Sequence, residues 1–442
     1  MVRVCCRIVV LFIALATVSA PVAAPSAEAW QFTATGDGNV VDDALAVAFN
    51  RSSAGHVIAA GLINNEVFAV KLHKTQGHSL WTFHLPQASG GSGMARAVAV
   101  DAAEHVILAG VTAGGGGQFT VIKLDSETGV PHWIRIVGVG DAFSVAVDAA
   151  GDVIAAGVLE GGMGAVKLRG TDGTEIWRAL PQGVEPGGQV RALAVDPSGD
   201  AVVAGSVRDA PFRSAFAVVK LTGSDGSERW RHVIATHPFS GGGEQAVAVA
   251  LDGAGDVVAA GTVRVFKESE NRLRREFTVV KLAGSDGALR WRRDAGSGND
   301  NVRAMALDAA GDVVAVGSIG FESAVVKLSG VDGSDVWRRV GDAASADTVD
   351  VDAAESIVVG GVAFAAAPGS TRFDAVVRRL SGVTGAEIWS TVLNGPGNND
   401  DMARAVAFDG ESNVVMVGQL VGAATGPDFA VVKLSGTNGS NF

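Results

Sequence analysis

Eight tryptophans recur along this chain at intervals of 44 to 61 residues, and the same four segments fill each interval. They are Trp30, Trp81, Trp133, Trp177, Trp230, Trp291, Trp337 and Trp389. A repeat of that length constrains the fold before any single residue does, because one unit cannot bury its own apolar surface and must stack on its neighbours. Each unit opens with a small-apolar stretch ending in Asp or Asn, such as Ser144 to Asp148 or Ala304 to Asp308. A tight turn follows (Asp148-Ala149-Ala150-Gly151-Asp152), in which the first Asp bonds forward to the backbone and glycine takes the positive φ. The second stretch ends at glycine, as in Val153-Ile154-Ala155-Ala156-Gly157. A variable loop leads to a third, Phe216-Ala217-Val218-Val219-Lys220-Leu221. A second glycine turn (Gly223-Ser224-Asp225-Gly226) then leads to the fourth, which carries the tryptophan.

Four short strands per unit, rich in valine and joined by Gly/Asp turns, describe a propeller blade. The Val/Ala runs are nearly continuous instead of alternating with polar residues, as expected of strands buried on both faces. A β-helix has a far shorter period, and a sandwich does not repeat eight times. The predicted fold is all-β: an eight-bladed β-propeller of four-stranded antiparallel blades. Its closure can also be read. The turn glycine precedes tryptophan by four residues at Gly226 to Trp230 and Gly385 to Trp389, but after Gly439 the chain stops at Phe442. The N-terminal strand Trp30-Gln31-Phe32-Thr33 is therefore predicted to complete the last blade (3+1), covering its edge.

Residues 1–29 read as a signal peptide and 30–442 as a single propeller domain. Arg3 and Arg7 precede an apolar run from Ile8 to Val18, and small-x-small tripeptides end at Ala20, Ala24 and Ala29. That run is short against the roughly 20 residues a membrane span needs. Cleavage is expected after Ala29, with export to the periplasm or the medium. Both cysteines, Cys5 and Cys6, lie in this segment, so the remainder has no disulfide, thiolate metal site or cysteine nucleophile. The net charge is −12, and losing residues 1–29 makes it one unit more negative. An acidic chain without a basic block is a poor partner for nucleic acid or an anionic membrane surface. No later stretch is long and apolar enough to span a bilayer, and a monomer is expected.

The segment Phe216 to Leu221, followed by Asp225-Gly226 and Trp230, together with Ala304 to Val314, resembles the secreted bacterial β-propeller repeat (SBBP-type) family. Gly296-Ser297-Gly298-Asn299-Asp300 and Gly397-Asn398-Asn399-Asp400-Asp401 look like that family's inter-repeat loop. The turn-plus-tryptophan segments Thr171-Asp172-Gly173-Thr174-Glu175-Ile176-Trp177 and Val383-Thr384-Gly385-Ala386-Glu387-Ile388-Trp389 are similar to the tryptophan-docking motif of eight-bladed quinoprotein (PQQ-like) propellers. The resemblance spans the whole chain after the leader. It implies a fold firmly and a function weakly, because its motifs are structural repeat positions.

The tryptophans are assigned to packing between blades, not to an aromatic box, since all share one outer-strand position. The third strand carries a cation in every unit: Lys71, Lys123, Lys167, Lys220, Lys281, Lys327, Arg379 and Lys433. Local ion pairing, or a lysine stem lying over an indole, accounts for these without an anionic ligand. Asp42, Glu244, Asp300 and Asp401 each stand four residues before an inner-strand core, with Asp43, Asp141 and Asp400 beside them. Such oxygens at a channel mouth would suit calcium. Alternatively, they are solvated turn residues paired with Arg96, Arg191, Arg303 and Arg404, which open four inner strands. The histidines crowd into the first two units (His56, His73, His78, His84, His105, His132), but none has zinc-site spacing on one element. The glycine runs at 114–117 and 241–243 join no strand to a helix, which argues against a phosphate cradle.

Long segments such as Arg264 to Glu276, Val207 to Ala215 and Ala363 to Phe373 fall on one face of the ring, and loops that vary over a rigid ring usually carry binding. The function expected is a non-enzymatic exported scaffold that binds a protein or carbohydrate through that face. The alternative is a PQQ- and calcium-dependent oxidoreductase of quinoprotein type. The resemblance implies a vicinal disulfide against the quinone in such enzymes, which a cysteine-free chain lacks.

Overall fold

The computed structural model describes residues 29–441 apart from 37–39, 51–54, 88–90, 182, 184, 211–212, 235–242, 297, 343 and 365–371. Nearly all of the expected signal peptide lies outside the described residues. The eight blades occupy 43–85, 94–139, 140–179, 185–234, 245–295, 301–342, 348–393, and 402–434 joined by 30–34. Pairing is antiparallel throughout. Among the described residues there is no α-helix, only one 3-10 turn at Glu268–Glu270, and no helix long and apolar enough to cross a membrane.

Ring closure follows the expectation. The N-terminal strand Trp30–Ala34 lies outermost on the last blade, with Trp30 opposite Lys433. Trp30 then shares an apolar cluster with Val47, Phe68 and Phe429, which joins the last blade to the first. Blades two and three depart from the expectation. They are fused by one 17-residue strand, Pro131–Val147. Its first half is the outer strand of blade two (Trp133 opposite Lys123), and its second half is the inner strand of blade three (Val147 opposite Val153). Asp141, read as a loop residue, is therefore in a strand.

The glycine of the second strand has a different role from the one its position implies. The strand does not end there. In blade one it runs Val57–Ile63 through Gly61. Opposite that glycine the inner strand carries a bulge, because Ala44 pairs with Gly61 while Ala46 pairs with Ala60. A Cβ on Gly61 would lie 1.9 Å from the Asp43 carbonyl. Gly110, Gly157, Gly205, Gly261, Gly317 and Gly418 meet an inner-strand carbonyl in the same way, at 1.9–2.0 Å. Glycine there makes room for the bulge, and a bulge re-aims the side chain it carries. The extra residues are Leu45, Arg96, Phe143, Arg191, Val247, Arg303 and Arg404. Four are the arginines that sequence reading placed at strand starts.

Candidate functional site

One contact recurs at the turn end of the ring. Each indole Nε1 donates to a main-chain carbonyl of the next blade at 2.9–3.3 Å, from Trp30 to Lys74 round to Trp389 to Gly436. The same carbonyl accepts from the cation of the third strand. Lys167 and Trp177 both donate to Gly223, Lys220 and Trp230 to Gly284, and Lys433 and Trp30 to Lys74. Arg379 and Trp389 share Gly436. The turn glycine of the receiving blade then lies flat on the indole. At Gly226 (φ +73) a Cβ would stand 2.8 Å from the Trp177 ring, and Gly439 meets Trp389 in the same way.

The cations form local ion pairs, as expected, and six of the eight are buried. The pairing residue is the Asp ending the inner strand. Lys123 meets Asp101, Lys167 meets Asp148, Lys220 meets Asp196, Lys281 meets Asp252, Lys327 meets Asp308 and Lys433 meets Asp409, all at 2.7–2.8 Å. Arg379 meets Asp352 at 3.3 Å. In blade one Asn50 occupies the Asp position, and Lys71 turns to the Ser126 carbonyl and to Glu127 in blade two. Taking a buried lysine out of water is repaid only by such a partner.

At the opposite end, the four carboxylates considered for calcium lie in blades one, five, six and eight. Among the described residues no three of them come close enough to share an ion. Asp42 accepts from the amides of Gly36 and Asn64, Asp300 from Gly298 and Gly320, and Asp401 from Gly395 and Val421. Each of these three ties the incoming connection to the middle hairpin of its own blade. Glu244 is fully buried. Burial holds the Asp42 and Asp401 carboxyls above the usual range, although their backbone hydrogen bonds pull the other way.

Three of the arginines aimed by the bulges reach the blade that follows, and Arg191 reaches back to the one before. Arg96 pairs with Asp141 at 2.7 Å, Arg404 with Asp43 at 2.8 Å and Arg303 with Asp347 at 3.6 Å. Arg96 and Arg191 also flank the Phe143 ring, 5.0 and 4.8 Å from its centroid. The expected pairing is thus present for three of the four arginines, with Asp43, Asp141 and Asp347 as partners in place of Asp42 and its equivalents. Burial lifts the Asp43 carboxyl to about 6 against the pull of Arg404.

The segment Arg264 to Glu276 is a continuation of the ladder, not an irregular loop. Strands Val257–Lys267 and Arg272–Leu282 pair from Val257 opposite Leu282 out to Lys267 opposite Arg272. Arg264, Arg272, Leu273, Arg274 and Arg275 line a cleft of about 460 Å³, together with Gly298 and Asn299 of the connection to the next blade and Phe321 of that blade. Glu270 accepts from Arg272 and Arg274. Arg264 stands directly opposite Arg275. Among the described residues neither forms an ion pair, and like charges facing across a ladder are unfavourable. Phe321 is 89% exposed at the lip. Sequence reading picked out the hairpin by its length. It missed Phe321, a single aromatic in a short turn that resembles no repeat position.

Ring, docking tryptophans and turn glycines together define a PQQ-like β-propeller. The family model described as "Outer membrane protein assembly factor BamB" matches residues 64–267 and 249–439, and the chain belongs to that family. Among solved structures, quinohemoprotein alcohol dehydrogenase from Comamonas testosteroni superimposes with a TM-score of 0.61 at 12% identity, covering 92% of this chain and 76% of that one. Chaetomium thermophilum Sqt1, bound to the N-terminus of a ribosomal protein, gives 0.61 at 12% identity, covering 90% and 98%. The Dos1 propeller gives 0.60 at 11%, covering 92% and 94%. A search of curated proteins finds no match. At these identities the solved structures show the fold alone. The residues here do not fit a quinone seated on a vicinal disulfide, since no cysteine follows Cys6, and Arg96, Arg303 and Arg404 are engaged by aspartates.

Proposed function

We propose that this protein is an exported, non-enzymatic scaffold that docks an acidic protein segment in the cleft between blades five and six. The observation that carries this is the facing pair Arg264 and Arg275, set among two further arginines beside the exposed Phe321. Guanidiniums take carboxylates in bidentate fashion, and an aromatic at the lip supplies the apolar anchor that interface centres favour. The cleft gathers cations on a chain of net charge −12, so it offers an acidic partner an attractive approach. The neighbour bound to the N-terminus of a ribosomal protein supports a protein partner over a carbohydrate.

The test is fluorescence anisotropy with a labelled Asp/Glu-rich peptide carrying one tryptophan, with an acidic polysaccharide as competitor. Salt-sensitive binding is expected, weakened about tenfold or more by the double substitution Arg264→Glu, Arg275→Glu, given the worth of charge-assisted pairs. Binding that ignores that substitution would remove the cleft. Preference for the polysaccharide would transfer the site to a carbohydrate.

A further inference from the structure

Blade two brings together three groups that sequence spacing keeps apart. His105 precedes the second strand (Val106–Thr112), Asp125 follows the third (Gln118–Leu124), and His132 lies in the strand Pro131–Val147. One ring nitrogen from each histidine and one Asp125 oxygen all lie within 4.8 Å of one another. His132 Nε2 stands 3.6 Å from Asp125 Oδ2, and the two imidazoles meet edge to face at 4.6 Å between centroids. Ligands held about 2.0–2.1 Å from a tetrahedral cation stand roughly 3.3 Å apart, so a small inward movement suffices to close the set.

Two features on the page prepare these donors. Asp125 Oδ1 already accepts from the Glu127 and Thr128 amides and from the Thr128 hydroxyl, which leaves Oδ2 as the oxygen turned to His132. Asp101, buried, accepts the His105 amide and meets the ring Nδ1 at 3.0 Å. A carboxylate facing Nδ1 favours the tautomer with its proton there and the lone pair on Nε2, as carboxylates behind metal-bound histidines do.

The arrangement belongs to one blade. At the position of His105, blades three to six carry Asp152, Asp200, Asp256 and Asp312. At the position of His132 the other complete blades carry Leu80, Ile176, Arg229, Arg290, Val336 and Ile388. Blade one has His56, His73 and His78 at its own turns, but Leu80 where the outer-strand imidazole would be. We propose that His105, Asp125 and His132 form a surface site for a borderline divalent cation such as Zn²⁺ or Cu²⁺, with Asp101 as the positioning residue. The site lies at the turn end of the ring, away from the arginine cleft.

Calorimetric titration of the full, metal-stripped protein with Zn²⁺ alone should give one equivalent per chain. His132→Leu, which takes the residue blade one carries there, should weaken binding at least tenfold without moving the melting curve, while His73→Ala should leave binding unchanged. Asp101→Asn should cost about 10–100-fold, the usual loss when a supporting carboxylate goes. Because Asp101 also holds Lys123, that variant is compared only if it melts like the wild type. The Cu²⁺ form should show electron-spin coupling to two imidazole nitrogens, and one nitrogen in His132→Leu. No binding at about 100 µM Zn²⁺, or stoichiometric binding that survives His132→Leu, would overturn the assignment.

Discussion

The two ends of this propeller are built on opposite rules. At the turn end, one contact repeats from blade to blade: an indole and a cation share one carbonyl, and a glycine lies flat on the ring. At the other end the aspartates Asp42, Asp300 and Asp401 repeat one tie to the backbone, but the middle hairpins they anchor do not repeat. The middle hairpin of blade one turns tightly through Asn64 and Asn65, both at positive φ. That of blade five climbs out to Lys267 opposite Arg272 and gathers four arginines in a cleft. Repetition marks what the ring needs to stay closed. Departure from repetition marks what the ring carries, and His105 with His132 follows the same rule inside the repetitive end.

The largest expected effect separates the two ends directly. Trp177→Ala should cost about 3–5 kcal/mol in urea unfolding, because it removes a buried indole and its bond to Gly223. Phe321→Ala should change stability by no more than about 0.5 kcal/mol, since its ring is solvated. Similar losses for both would erase the distinction.

A second comparison stays within the turn end. Gly226→Ala puts a methyl group at positive φ and into the Trp177 ring, and should cost about 1–3 kcal/mol. Gly253 has no neighbour for a Cβ, so Gly253→Ala should be near neutral, roughly within 0.5 kcal/mol. If the two glycines respond alike, the docking contact does not depend on close approach.

The fold was legible wherever a residue recurs in register with the blade. Tryptophans, turn glycines, third-strand cations and the closing strand Trp30–Ala34 all fall in that class. The partners of those groups were less legible. The carbonyl that Trp230 and Lys220 share belongs to Gly284, far along the chain and in another blade. The second-strand glycines looked like strand ends because their reason, a bulge on the facing strand, is visible only once the strands are paired. The histidine group escaped a search by spacing because its ligands come from three elements. Phe321 escaped because exposure has no signature in a single sequence.

A smaller effect follows from the ion pair of Asp43 with Arg404. In the folded protein the Asp43 carboxyl is raised from 3.8 to about 6. Such a group lends its full stability below pH 3.8 and loses it as pH rises through 6. As pH rises from 3.8 to about 6 the wild type should therefore lose ground to Asp43→Asn, with no further change above that, measured by thermal melting at each pH. A gap that stays constant would show Asp43 charged throughout, held by Arg404. Smallest of all, Arg264→Glu should leave the melting curve within about 0.5 kcal/mol of the wild type while reducing capture of the acidic peptide.

Closure by eight equivalent contacts is tested most directly at the one that joins the ends of the ring. Trp30 docks on Lys74 and Gly77 of blade one, as Trp177 docks on Gly223 and Gly226. Urea unfolding of Trp30→Ala beside Trp177→Ala should give one cooperative transition for each, with losses equal to within about 1 kcal/mol. If Trp30→Ala unfolds like the wild type while Trp177→Ala does not, the N-terminal strand is not what closes the ring.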